Sequence, residues 1–270
     1  MLPMNIFDLV LINPIYDVLI AFYQALSFLH IPGALGFAII LMTVLVRLIV
    51  WPLTSVQLKS AKKMTDLKPH MDKLKEEHGH DKIRHQQELS KLYKEHGVNP
   101  LTGCLPLIIQ IPIFIALYNV LSNIVQFDKV DFLDSINNHL IPILHLQKIP
   151  DPYFLGINLA YKPDSWQQHG ILLLLIPVIT GLLQFIQSKM MTPPKSPKGI
   201  QKTGQKEDAM SSVQSQMTYL MPLMIAFFSY GFPVGLSLYW NTFTIIGIIQ
   251  QYSIAGAGPF NKYLPKRLQK

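Results

Sequence analysis

Cysteine and charged residues are scarce in this 270-residue chain. Its single cysteine, Cys104, excludes a disulfide framework or a cysteine-based zinc site within one chain. Charged residues make up 14% of the sequence, against about 25% in an average soluble domain, whereas hydrophobic residues make up 50%. Because apolar runs of about 18 residues or more are typical of membrane spans, this composition indicates an integral membrane protein.

The long apolar runs also lack acidic residues. This absence counts against proton- or sodium-coupled transport, which commonly uses carboxylates within the membrane. The phosphate-binding pattern G-x-x-x-x-G-K-[ST] is missing, so the chain hydrolyses no nucleotide through that motif. The opening MLPMNIFDLV has neither a basic segment nor a cysteine, and we expect no secretory signal peptide and no lipid attachment there. We also expect no enzyme activity, no cofactor and no metal.

One full charge interrupts the apolar stretch from Leu35 to Leu58. Arg47 is the only ionisable residue in the 19 residues from Leu35 to Leu53, a helix about as long as a bilayer's hydrocarbon core is thick. Placing an arginine there costs between ~2.5 and ~17 kcal/mol, depending on how far its surroundings relax. Either the side chain snorkels to the nearer interface, about 9 Å away, or water and polar groups surround it for a function. The residues alone favour neither.

Residues 1–33 are predicted to form an N-terminal segment with an amphipathic helix. Between residues 13 and 30 apolar side chains recur at helical spacing, and there is no Lys or Arg. This pattern favours a helix that lies on the membrane surface. A partial first span is the alternative, and Asp17 and Gln24 count against it.

Residues 59–99 switch to a charged composition. Between Lys59 and Gly97 there are ten basic and seven acidic residues, and sparse apolar positions at coiled-coil spacing stop at Gly79 and then resume. We therefore predict an antiparallel helical hairpin in water. Histidines cluster at its turn, at His78 and His80, which indicates either a metal site or solvated turn residues. The second interpretation is favoured, because no cysteine or tight carboxylate set accompanies them.

Five spans divide the chain into alternating apolar and polar segments. The predicted segments, in order, are span one at 34–58, the hairpin at 59–99, span two at 100–125, a loop at 126–169, span three at 170–188, a loop at 189–214, span four at 215–232, span five at 233–255 and a basic tail at 256–270. The hairpin, the second loop and the tail hold ten, five and four basic residues, against three in the 126–169 loop. The positive-inside rule therefore places the N-terminus outside and the C-terminus in the cytoplasm.

Uncharged polar residues recur in the spans. They are Thr43, Gln110, Asn119, Gln184, Ser229, Asn241 and Thr242. Each alone is explained by a hydrogen bond between helices, worth about 0.6 kcal/mol. Together with Arg47, they are enough to line a wet cavity. An isolated cation in such a cavity would attract acidic segments.

Several motifs resemble the YidC-type (YidC/Oxa) membrane protein insertases. The sequence VRLIVWPLTSVQLKSAKKM at 46–64 is one, and NPLTGCLPLIIQIPIFIALYNVL at 99–121 is another. The turn Asp151-Pro152-Tyr153-Phe154, FPVGLSLYW at 232–240 and IIQQY ending at Tyr252 follow in the order and spacing of that family. The likeness covers about residues 13–254. The additional N-terminal span and large extracytoplasmic domain of some members have no counterpart in this sequence, so the chain looks like a minimal five-span member.

The resemblance implies a fold and a set of roles. The fold is all-α and polytopic, with five transmembrane helices around a hydrophilic groove open to the cytoplasm, a cytoplasmic helical hairpin and an outer amphipathic helix. Arg47 would be the positive charge of the groove. The implied polar groove residues are Gln184 or Gln187, Trp240, Thr43 and Asn241. The implied apolar sliding surface for a client helix on spans two and four consists of Ile113, Leu117, Met224 and Phe228.

The expected function is therefore membrane protein insertion in the bacterial plasma (inner) membrane. A client's hydrophilic extracytoplasmic part would enter the groove while its apolar segment moves into lipid, without a cofactor. The partners that the resemblance implies are nascent membrane proteins, the ribosome, a targeting receptor and a Sec-type translocon; attraction to anionic lipid explains the basic tail equally well. The competing classes are a small-solute transporter or channel and a purely structural assembly partner.

Overall fold

The computed structural model of the chain describes residues 6–98, 105–127, 131–192, 209–263 and 265. Its α-helices, in chain order, are α1 (Asn13–Phe28), α2 (Ala34–His78), α3 (Lys82–Glu95), α4 (Leu105–Ile124), α5 (Phe132–Asn137), α6 (Trp166–His169), α7 (Leu175–Met190), α8 (Ala209–Gly231) and α9 (Val234–Ala255). Two short strands, β1 (Tyr153–Phe154) and β2 (Ile157–Asn158), pair antiparallel, with Phe154 opposite Ile157. Cys104, the greater part of the 189–214 loop and the end of the basic tail lie outside the described residues.

Helices dominate the described chain, which confirms the prediction of an all-α fold. Within the described ranges, three helices are long and apolar enough to cross a membrane: Asp8–Phe28, Ala34–His78 and Ile171–Met190. Two further apolar helices, Gln110–Ile124 and Thr218–Gly231, are shorter. The first of the long helices includes a π-helical turn, Asp8–Ile12, that leads directly into α1.

The helix α2 runs without a break from the predicted first span into the predicted hairpin. It has 45 residues, which corresponds to roughly 68 Å, and it contains Pro52 and Pro69. The sequence suggested a boundary at residue 58, where the composition changes from apolar to charged. The helix continues because Lys, Leu, Met and Glu, which make up 12 of the 20 residues from Lys59 to His78, are good helix formers.

The hairpin itself is present as predicted from the interruption at Gly79. α2 ends at His78, and the side chain of Asp81 caps α3 by accepting hydrogen bonds from the backbone N–H groups of Ile83 and Arg84, both at 3.1 Å. The two arms pack antiparallel, since the Tyr93 hydroxyl lies 3.8 Å from the Met71 sulfur. Among the described residues, no group of three or more histidine, cysteine or acidic side chains is arranged to hold a metal ion.

The described residues fall into two compact units. One lies within Met1–Val50, Ile109–Gln184 and Pro222–Ile246, and the other within Trp51–Ile108, Phe185–Met221 and Gly247–Lys270. The apolar core of the first unit is built by α1, α2, α4, α5 and α9. Its largest fully buried side chains are Tyr16, Leu19, Ile20, Leu35, Ile39, Met42, Leu117, Leu121, Ile124, Phe132, Ile136 and Tyr239.

In the first unit, the N-terminal ends of α2 and α9 meet the same loop. The backbone N–H of Gly235 donates to the Leu159 carbonyl at 2.9 Å, and that of Val234 donates to the Tyr161 carbonyl at 2.8 Å. A Cβ at Gly235 would lie 3.3 Å from Val125, directly after α4, and 3.6 Å from Ile39 in α2. α2 and α9 therefore begin at the end of the unit where α4 finishes.

The helix α1 is held to the loop that follows α4. The Asp17 carboxylate accepts a hydrogen bond from the Ile141 backbone N–H at 3.0 Å, and the Gln24 amide donates to the Leu144 carbonyl at 2.9 Å. The ring of His139 stacks on Tyr16, with ring centroids 5.0 Å apart. Asp17 and Gln24, the polar residues that counted against a membrane span, thus form hydrogen bonds with backbone groups more than 100 positions away in the sequence.

The second unit contains a hydrogen-bonded junction at Pro52. The amide nitrogen of Gln250, which is buried, donates to the Trp51 carbonyl at 3.1 Å and to the Thr54 hydroxyl at 2.7 Å. A proline inside a helix removes one backbone hydrogen bond. Gln250 therefore ties α9 to α2 at the position where the backbone of α2 is weakened.

We predict that Gly36→Ala destabilises the protein, because the ring of Phe154 occupies the space that a Cβ would need. Crowding of this kind costs about 1–3 kcal/mol. The midpoint of thermal unfolding in detergent should fall, and the second substitution Phe154→Ala should recover part of the loss of the first.

The matched control is Gly231→Ala, because a Cβ added there would have nothing within 4 Å. That substitution should leave the midpoint unchanged or raise it slightly, since alanine stabilises a helix relative to glycine. Equal losses for Gly36→Ala and Gly231→Ala would contradict the contact with Phe154.

Candidate functional site

Arg47 is the charged centre of the candidate site. Only 5% of its surface is exposed. Its guanidinium carbon lies 3.9 Å from the centroid of the Phe243 ring on α9, a cation–π contact worth about 2 kcal/mol when desolvated. Its buried Nε has no hydrogen-bond partner among the described residues. The guanidinium is therefore covered by an aromatic face rather than neutralised.

No carboxylate in the described part of the chain forms an ion pair with Arg47. Phe243 and Tyr239, the two residues that the structure places beside it, are uncharged. Tyr239, one turn before Phe243 on α9, is buried beside it, and the Tyr239 hydroxyl lies near the Gln110 amide without a well-formed hydrogen bond. A buried charge without a partner is costly in any protein interior, so this arrangement is energetically unfavourable unless something else uses it.

The other predicted groove residues have differing roles. Thr43, one turn before Arg47, is buried, and its hydroxyl donates to the Ile39 carbonyl within the same helix at 2.6 Å. Trp240 is half-buried, and its indole Nε1 donates to the Gln184 side-chain carbonyl at 3.3 Å. The half-buried Asn241 has a buried amide oxygen with no hydrogen-bond partner among the described residues.

Of the two glutamines that the sequence offered, Gln184 is the one paired with Trp240. Gln187 lies half-buried about one turn further along α7. Trp240 also packs edge-on against Phe114 of α4, with ring centroids 5.3 Å apart. The indole thereby joins a helix of the predicted sliding surface to one of the predicted groove.

A cavity of about 310 Å³ lies beside Trp240 in the first unit. Its lining side chains are Phe114, Thr180, Ile225, Phe228, Ser229, Phe232, Leu236, Ser237 and Trp240. Three of these, which are buried, form a hydroxyl cluster: Ser229 lies 3.0 Å from Ser237 and donates to Thr180 at 3.3 Å. The other lining side chains are aromatic or aliphatic, so the rest of the cavity wall is largely apolar.

Three of the four residues predicted for the sliding surface lie at least partly at the surface. Met224 is 42% exposed and Phe228 is 44% exposed, and Ile113 is half-buried. Leu117 is completely buried in the core of the first unit, so its assignment to an exposed client-facing surface is wrong. The exposed side of α4 carries instead Ile111, Ile115 and Tyr118.

The sequence pattern of the 60Kd inner membrane protein family matches residues 18–259 of the chain. The chain belongs to this family. The resemblance to YidC-type insertases that the motifs indicated is thereby confirmed, and the protein is an all-α, multi-pass membrane protein like other family members.

Curated relatives extend well beyond the matched region. The chain is 32% identical to the inner membrane ALBINO3-like protein 1, chloroplastic, of Chlamydomonas reinhardtii, over 91% of the chain and 49% of that protein. It is 33% identical to the membrane protein insertase YidC of Rickettsia felis, over 86% of the chain and 37% of that protein. The chain is 34% identical to the membrane protein insertase YidC of Aromatoleum aromaticum, over 86% of the chain and 34% of that protein. The chain thus spans between about a third and a half of the length of these family members.

A solved structure of the family has a similar fold. The active YidC insertase crystal structure with the first transmembrane domain resolved is 28% identical to the chain, with a TM-score of 0.53 over 89% of the chain and 46% of that structure. The two YidC relatives and this solved structure are named as insertases.

Phe243 and Tyr239 were not predicted from the sequence as neighbours of Arg47. The only signal was their spacing of one turn on α9. Aromatic residues in an apolar span are usually interpreted as lipid-facing or core side chains, and no pattern distinguished these two. The same applies to Thr180 and Ser237, small hydroxyl residues that are common in membrane helices.

We predict that Arg47→Met stabilises the protein. Methionine fills similar space without a buried charge, and replacing buried ionic groups by apolar ones commonly gains about 1–4 kcal/mol. The midpoint of thermal unfolding in nanodiscs should therefore rise. Arg84→Met, on the exposed side of α3, is the matched control and should change the midpoint little. A fall for Arg47→Met would mean that the cation–π contact with Phe243 outweighs the cost of burying the charge.

Proposed function

We propose that the protein is a membrane protein insertase and chaperone. It takes transmembrane segments of client proteins from the cytoplasm, holds their hydrophilic part at Arg47 and releases the apolar segment into lipid. The observation that carries the proposal is the buried Arg47, without an ion-pair partner in the described chain, in a helix apolar enough to cross a membrane. The relatives named membrane protein insertase support it.

The role of Arg47 in this proposal is to attract an acidic client segment. A client carboxylate supplies the countercharge that the described chain lacks, and its oxygens accept hydrogen bonds from the guanidinium. Because only 5% of Arg47 is exposed, the surrounding helices must open or admit water before the pair forms. In a site of low dielectric constant, such a charge-assisted pair is stronger than in water.

The polar lining keeps the rest of the hydrophilic segment solvated. The Asn241 amide oxygen, which has no partner in the described chain, can accept a hydrogen bond from a client backbone N–H. Trp240 and Gln184 can exchange their mutual hydrogen bond for bonds to the client at little cost, because such bonds in membranes contribute only about 0.6 kcal/mol. Thr43 completes the proposed lining within the first unit, and Gln187, which belongs to the second unit, is left out of it.

The apolar segment moves along the exposed faces of α4 and α8. Met224 and Phe228 on α8 together with Ile113 and its exposed neighbours Ile111 and Ile115 on α4 form this surface. The adjacent cavity of about 310 Å³ is large enough for client side chains, since a dry apolar cavity of about 150 Å³ already binds benzene. Partition of the segment into lipid then drives its release.

The membrane arrangement proposed with this function has five spans, an outer N-terminus and a cytoplasmic C-terminus in the bacterial plasma membrane. The proposal includes contacts of the α2–α3 hairpin and the basic tail with the ribosome and a targeting receptor, and cooperation with a Sec-type translocon. The positive-inside rule supports this orientation, because the hairpin, the 189–214 loop and the tail hold most of the basic residues.

Insertion of a single-span client into vesicles that contain only this protein tests the role of Arg47. The client carries an N-terminal tail with either two aspartates or two asparagines. We expect Arg47→Met to reduce insertion of the aspartate client by about tenfold, the equivalent of one lost charge pair of about 1.4 kcal/mol, and to affect the asparagine client less. Arg47→Lys should retain part of the activity.

Arg84→Met is the control, because it removes an arginine from the exposed side of α3. If Arg47→Met inserts the aspartate and asparagine clients in the same ratio as the unaltered protein does, the electrostatic role is refuted. Flux of small solutes through the same vesicles, without client, would instead favour a channel.

Photo-crosslinking tests the proposed path of the apolar segment. A photoreactive residue at Met224, Phe228 or Ile115 should crosslink to the client's apolar segment in a stalled nascent chain. The control is Leu182 on α7, which is apolar and 57% exposed but lies outside the proposed surface. Client crosslinks of equal yield at Leu182 would contradict a defined path.

A further inference from the structure

The tip of the short β-hairpin carries an apolar side chain that is exposed at the protein surface. Leu155, between β1 and β2, is 83% exposed, and its backbone lies in the left-handed region at φ 51°. Gly156 follows at φ 82°. Leucine is disfavoured in this conformation, in which glycine, asparagine and aspartate are common. An exposed leucine at such a position is therefore unfavourable for the turn itself, and it gains little from packing within the described chain.

The hairpin is attached at the N-terminal ends of two helices. Phe154 packs against Gly33 and Gly36 at the start of α2, and its ring contacts Phe37 edge-on at a centroid distance of 5.1 Å. The hydrogen bonds from Gly235 and Val234 join the segment after β2 to the start of α9. Leu155 is thus held next to the position where the apolar part of α2 begins.

The same short segment has the composition of a membrane interface. Tyr153 beside the tip is 48% exposed, and Tyr161 stacks on His169 with ring centroids 3.6 Å apart. The carboxylate of Asp151 is turned towards the backbone, where it accepts a hydrogen bond from the Tyr153 N–H at 3.0 Å. Tyrosines are enriched at the level of the lipid headgroups, where an apolar ring and a polar hydroxyl are both accommodated.

We propose that the hairpin Tyr153–Asn158 is a lipid anchor, in which Leu155 inserts into the bilayer interface beside the start of α2. The partner is the lipid bilayer, because Phe154 holds the exposed leucine beside the start of α2, a helix that is long and apolar enough to cross a membrane. The anchor fixes the depth of the N-terminal ends of α2 and α9 in the membrane. This role is independent of any client.

Nitroxide spin labels in phosphatidylcholine nanodiscs test the anchor. In a Cys104→Ser background, Leu155→Cys and Asp164→Cys each carry one label; Asp164 is an exposed, charged position of the same loop. We expect the ratio of collisions with oxygen to collisions with a water-soluble nickel complex to be several-fold higher at residue 155. Equal ratios at the two positions would overturn the proposal.

A second variant separates lipid contact from packing. Leu155→Asn suits the left-handed backbone, so the midpoint of thermal unfolding in detergent should stay the same or rise. In nanodiscs the midpoint should fall relative to the unaltered protein, because the lipid contact is lost. A fall of the same size in detergent would overturn the proposal, since it would show that Leu155 stabilises the protein through its own packing.

Discussion

A positive charge that has to be covered determines the architecture around Arg47. The chain contains an arginine in an apolar helix, and the described residues offer it no carboxylate, so the fold places the aromatic face of Phe243 over the guanidinium. This contact requires α9 to lie against α2 with Phe243 and Tyr239 turned inward. Covering a charge in this way reduces its cost without neutralising it. The protein therefore retains a site that is still able to bind an anion, and the stability lost at Arg47 is connected to the proposed activity.

The hydrogen bonds that join the surrounding helices are individually weak. Ser229 and Ser237 bond to each other, Ser229 also bonds to Thr180, and Trp240 bonds to Gln184. Each such bond within a membrane contributes about 0.6 kcal/mol, close to thermal energy. Such contacts specify which helices are neighbours, yet they can be exchanged for bonds to a visiting polypeptide. A protein that must admit and release many different segments benefits from contacts of this kind.

Much of the fold was predictable because composition changes sharply along the chain. The helices, the hairpin turn at Gly79 and the isolated charge of Arg47 follow from hydrophobic runs, charge counts and breakers. The direction in which each helix faces was not predictable. α4 is apolar on all sides, so its sequence does not reveal that Leu117 lies in the core while Ile115 lies at the surface. Phe243 was missed because its partner Arg47 is about 200 positions away in the sequence, and the sequence of α9 does not reveal which of its sides faces α2.

The contacts of α1 have a consequence for any shortened form of the protein. Removing the segment before α2 would leave the Ile141 N–H and the Leu144 carbonyl without the partners that Asp17 and Gln24 provide, and would leave the His139 ring without Tyr16, on which it stacks. The loop after α4 in turn continues to the hairpin that carries Leu155. The first helix is therefore part of the folding core, and a truncation that treats it as a dispensable leader would be expected to disturb a region more than a hundred residues downstream.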